Sequence, residues 1–124
     1  MKYNYKSEDA KKLSKHGIDL LIYGHGTLGA NVCHVSVESG HFEEFSNSVS
    51  HFLYYIIEGS GVFILNDEKV EANTADLITI PPNTRIHYFG TMKMLLVTTP
   101  SFNIDDEIHV RDVDRSENPL LEES

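Results

Sequence analysis

From residue 18 onward the chain is a succession of short β-type segments, each halted by turn chemistry, and that pattern leaves few folds open. Residues 31–38 alternate, with Cys33, Val35 and Val37 on one face and Val32, His34 and Ser36 on the other. Residues 51–57, HFLYYII, are aromatic and β-branched and run into Glu58-Gly59-Ser60-Gly61, a turn. Residues 62–65 and 69–72 flank Asn66-Asp67, a hairpin signal. Residues 77–80 stop at Pro81-Pro82-Asn83, and residues 85–89 and 92–99 make two further strands before Pro100. Short, regularly spaced strands of this kind predict an all-β sandwich or barrel. Ahead of them, Ser7, early acids, later lysines and Gly17 predict one short helix over residues 8–15.

Charge and composition narrow the partners. Ten Lys+Arg against nineteen Asp+Glu give −9, which argues against nucleic acid, whose phosphates need a basic face. No apolar run reaches the ~18–20 residues of a membrane span, and the start, MKYNYKSEDAKK, lacks a secretory apolar stretch. The single cysteine, Cys33, forms no internal disulfide and reads as a small core residue, consistent with a reducing, cytoplasmic setting. The last twenty residues hold eight acids against Arg111 and Arg115, so the end reads as a solvated tail. The expected organisation is an N-terminal helix and arm at 1–28, a barrel at 29–114 and an acidic tail at 115–124.

Two segments resemble the paired motifs of the cupins, small jelly-roll β-barrels. The first cupin motif runs glycine, five residues, His-x-His, three or four residues, Glu, six residues, glycine. Gly40 and Gly59 stand at its ends, and its ligand positions fall on Ser46, Ser48 and Phe52. The second runs glycine, five residues, Pro-x-Gly, two residues, His, three residues, Asn. Here Ala75, Pro81, Asn83, Ile86 and Gly90 occupy those places. The resemblance covers about residues 30–100 and implies a cupin-type jelly-roll barrel, a homodimer and a small-molecule ligand. In metal cupins three histidines and a glutamate hold a divalent ion. Serine hydroxyls are poor ligands for such ions and Phe52 and Ile86 have no lone pair to give, so the expectation is no metal and no cofactor.

His51 and His87 sit one residue beyond ligand positions. A strand reverses face at each residue, so the strict register turns them away and Ile86 inward; a β-bulge after Asn83 would instead turn His87 inward. The reading adopted takes His87 inward, because Ile86 supplies no chemistry, and pairs it with Tyr54 for catalysis by proton transfer next to a carbonyl. Ser46, Ser48, His51, Phe52, Ile86 and His34 are the remaining candidates for ligand contact. His41, after Gly40 in GHFEEF, is a candidate for the barrel mouth; His16 and His25 are expected in solvent, and His109 in a salt bridge. Glu43 and Glu44 are adjacent and face oppositely, which argues against a paired acid–base role. The expected function is a metal-independent small-molecule-binding cupin, an isomerase or epimerase of sugar type that uses His and Tyr. Its alternatives are a metal-dependent cupin enzyme rebuilt from His34, His51 and His87, and a non-catalytic interaction module.

Overall fold

The computed structural model describes residues 2–24 and 28–123, so His25 lies outside the described residues. Among the described residues nine strands form one curled antiparallel sheet. They are β1 (Lys11–Lys15), β2 (Ile18–Tyr23), β3 (Asn31–Val37), β4 (Gly40–Asn47), β5 (His51–Leu65), β6 (Glu68–Asn73), β7 (Leu77–Ile80), β8 (Ile86–Thr99) and β9 (Glu107–Asp112).

Two long strands organise the rest. β5 and β8 pair from His51↔Thr99 to Leu65↔Ile86 and fold over together half-way along. Their outer halves join β7 on one side and β3, β2 and β1 on the other; their inner halves join β6, β4 and β9. The crease needs glycine. A Cβ on Gly59 would collide with the Thr91 carbonyl, and one on Gly61 with the Phe89 carbonyl. The two halves thus become facing walls of a barrel, as the strand pattern predicts.

Alternation decides what lines those walls. Cys33, Val35 and Val37 face inward from β3, as read from sequence, beside Ile18, Leu20 and Ile22 of β2 and Phe52, Tyr54 and Ile56 of β5. Asn66 and Asp67 both take positive φ, the geometry that a two-residue hairpin loop between β5 and β6 requires.

The N-terminal helix is a correction. Residues 7–9 make only a 3-10 turn, which Lys6 precedes without any side-chain cap, and KKLSK is strand β1. With Leu13 as the one large apolar residue of that stretch, a helix would bury almost nothing. A hairpin with β2 instead pairs the backbone, and its loop is His16-Gly17, both at positive φ. No helix is long and apolar enough to cross a membrane among the described residues.

The acidic C-terminal segment folds back over the outer wall. Val113 is buried against Val62, Ile64 and Phe89 in a second apolar cluster, and the Arg115 guanidinium lies 4.5 Å from the Phe42 ring centre. This cover fixes which side of β8 is interior.

Candidate functional site

A cavity of about 610 Å³ opens between the inner face of β1–β3 and the stretch of residues 101–107. That is the size of a small-molecule site. Its walls are mostly apolar, and its polar groups gather in two places. One holds Lys15, His41, Tyr54, Tyr88 and Glu107; the other holds Asn31, Thr98 and Ser101, and Lys11 and Asn103 also line the cavity.

His41 is the histidine of the cavity. It lies on β4 opposite Tyr88 of β8, stacks on that ring at 5.2 Å and meets Phe45 edge-on at 5.1 Å. Only 2% of it is exposed. Burial, then the nearby Lys15 charge, push its pKa down to about 3, so the ring is neutral at working pH. The neighbouring Glu43 backbone pulls the other way, but less strongly. Nδ1 is buried with no hydrogen-bond partner among the described residues.

Tyr54 and Tyr88 are both fully buried, with ring centres 5.7 Å apart. Burial raises both phenols well above their ordinary range, so both stay protonated. The two phenols also influence each other, which raises Tyr54 further and lowers Tyr88. Glu107 is half-buried and its carboxyl is raised by burial, against the opposing pull of Lys15.

Tyr54 and Phe52 of the sequence-derived set line the cavity. His87 does not, and its inward placement is corrected. No residue is inserted after Asn83, so the strict register holds: Ile86 and Tyr88 face inward, and His87 and Phe89 face the C-terminal cover. His87 is 4% exposed, 3.5 Å from the Glu44 carboxylate, with its pKa lowered chiefly by burial. Ile86 is packed in the core and does not line the cavity. Ser46 is buried off the cavity, while Ser48 is exposed and its hydroxyl donates to the Asp106 carbonyl at 3.3 Å. His51 is exposed at the start of β5 and His34 sits on the outer face of β3. His34, His51 and His87 therefore do not converge.

The adjacent glutamates divide as expected. Glu43 binds His109 Nδ1 at 2.7 Å and lies 3.5 Å from His16, whereas Glu44 meets Arg111 at 3.2 Å and Arg85 at 3.5 Å. The Glu43 hydrogen bond raises the His109 pKa, so the salt bridge expected for His109 is present.

Sequence reasoning missed Lys15, Tyr88, Asn31, Thr98 and Glu107. One signal was available: the strict register that puts Ile86 inward also puts Tyr88 inward.

No family model matches the chain. An uncharacterized protein of Methanocaldococcus jannaschii is 38% identical over 61 residues, and the chain spans about half of that relative's length (49%). The solved structure of Pac13, described as a nucleoside dehydratase, is 54% identical with a TM-score of 0.92, and the match covers 96% of this chain and 99% of that one. Structures of Streptomyces Pac13 with uridine include a His→Gln and two Tyr→Phe variants, each 53% identical to this chain. KdgF of Halomonas, at 14% identity and TM-score 0.70, and oxalate decarboxylase of Bacillus subtilis, at 16% and 0.70, share the fold. All three are cupin-superfamily proteins. The chain belongs to the cupin superfamily.

Metal cupins hold a divalent ion, and the donors of this cavity do not fit one. The cavity offers one imidazole, His41, and one carboxylate with a raised pKa, Glu107, beside the cationic Lys11 and Lys15. No group of three or more His, Cys, Asp or Glu side chains is placed to hold a metal among the described residues. The arrangement is that of a small-molecule cupin whose cavity brings His41 together with two phenols.

Proposed function

We propose that this cupin is a dehydratase that acts on a nucleoside, with His41 as the base. The observation that carries this reading is His41, a buried imidazole with an unpartnered Nδ1, on the wall of a ligand-sized cavity beside Tyr54 and Tyr88. Similarity to Pac13 over nearly the whole chain supports it, as does that protein's study through one histidine and two tyrosines.

A neutral imidazole removes a C–H proton only where the resulting charge is delocalised, so the substrate carries a carbonyl beside that carbon. The His41 imidazole takes the proton and the C–H electron pair moves toward the carbonyl, whose oxygen accepts a hydrogen bond from Tyr88. As the C=C bond forms, the neighbouring C–O bond breaks. The departing hydroxyl takes the proton from the imidazolium and leaves as water. The negative charge developing on the substrate stabilises the imidazolium, which offsets the burial that holds His41 neutral in the free protein. In this reading Lys15 and Glu107, which line the same cavity, hold the sugar's polar groups.

Isomerisation or epimerisation would start from the same proton removal, and the likeness to a dehydratase favours elimination. The test is incubation with a uridine derivative carrying a carbonyl on its sugar, followed by mass spectrometry. A product lighter by one water, formed ~10²–10⁴-fold more slowly by His41→Gln that still binds uridine, is the expected result. A product of unchanged mass, or turnover indifferent to His41→Gln, would overturn it.

A further inference from the structure

The second polar group of the cavity is unused by the chemistry above, and it contains a buried hydroxyl with nothing to bond. Thr98 is 2% exposed, lines the cavity, and its Oγ1 has no hydrogen-bond partner among the described residues. Such a group is costly to bury unless something satisfies it. Asn31 stands directly across from it on β3 and is also buried. Ser101 Oγ donates to Asn31 Oδ1 at 2.6 Å, which occupies the carboxamide oxygen and leaves Nδ2 as the donor.

The surroundings say what kind of group fits. On its other side Thr98 pairs with Phe52 of β5, whose ring stands 5.7 Å from Phe45, and Phe45 in turn touches His41. Phe102, next in the chain to Ser101, also lines the cavity and packs on the core. Flat apolar walls around an amide donor and a hydroxyl suit a planar heterocycle with a polar edge. The hydroxyl can donate or accept, so with Asn31 Nδ2 it matches a ring carbonyl next to a ring nitrogen.

From this we infer that Asn31 and Thr98 form the base-recognition end of the cavity and bind the carbonyl–nitrogen edge of a pyrimidine, so that the substrate class is pyrimidine nucleosides. The inference rests on the nucleoside reading above and adds its orientation: the ring lies between Phe52 and Phe102, and the sugar reaches toward His41. Thr98 and Asn31 are specificity residues here, remote from the reacting atoms.

The experiment compares two ligands by titration calorimetry or ligand-observed magnetic resonance. One is uridine; the other is a phenyl riboside, with the same sugar and a flat ring that has no polar edge. Thr98→Val keeps the shape and removes the hydroxyl, and Thr98→Ser restores a hydroxyl. Uridine affinity is expected to fall about ten-fold in Thr98→Val and to recover in Thr98→Ser, with phenyl riboside unchanged throughout. Without ligand, Thr98→Val should melt no lower than the parent, since the hydroxyl it removes has no partner. Equal effects on both ligands, or none on uridine, would overturn the assignment while leaving the nucleoside reading standing. Failure of the unaltered protein to bind uridine at all would overturn both.

Discussion

Burying His41 in neutral form carries a stability penalty that acid should reveal. Its pKa is 6.5 in an ordinary setting and about 3 in the folded protein, lowered first by desolvation. A histidine depressed on folding gives the unfolded chain the greater proton affinity, so stability falls as pH drops through ~6.5 and goes on falling until the folded pKa is reached. At pH ~5 the unfolded imidazole is almost wholly protonated and the folded one is not; at ~1.36 kcal/mol per pH unit below 6.5, the loss from pH ~7.5 is about 2 kcal/mol. That figure holds for any folded value well under 5. His41→Gln abolishes the titration and keeps a hydrogen-bonding side chain. Denaturant unfolding of both proteins across this range isolates the effect, because every other titrating group is common to them. The parent should lose about 2 kcal/mol more than His41→Gln between pH ~7.5 and ~5. Parallel curves would show that His41 protonates readily in the folded state, and the picture of a desolvated base held neutral would fall.

His87→Gln should leave uridine affinity within about two-fold and cost roughly 0.5–2 kcal/mol of stability, since it disturbs only the Glu44 contact and the packing on Phe89; a selective loss of binding in titrations would return His87 to the site. Gly61→Ala should lower the denaturant midpoint by the equivalent of about 1–3 kcal/mol, because its Cβ meets the Phe89 carbonyl and the Met92 side chain at the crease. An unchanged midpoint would show that the β5–β8 fold-over tolerates a side chain.

The strands and most of their facing were legible in the sequence because period-two alternation is local. Cys33, Val35 and Val37 could face only one way together, and Asn66-Asp67 between two strand segments marked a hairpin wherever it was placed. The glycines at 40 and 59 marked the family framework, and Gly59 stands at the crease where a Cβ has no room. Residues 8–15 were misread because capping chemistry is a weak signal. With no apolar face to bury, that segment took the structure its neighbour β2 offered.

The site needed the tertiary structure. One strand's sequence names two faces and leaves open which becomes interior. For β8 this was decided by Val113 and the C-terminal segment, which cover His87 and Phe89 and turn Ile86 and Tyr88 toward the barrel. His41 had only its place after Gly40 to mark it for the barrel mouth; it became a candidate base because burial stripped its water while leaving Nδ1 without a partner. Asn31, Thr98 and Ser101 are ordinary polar residues in sequence, as far as 70 residues apart along the chain for Asn31 and Ser101. Their meaning comes from convergence in a space that excludes water, where an unmet hydroxyl is costly and therefore informative.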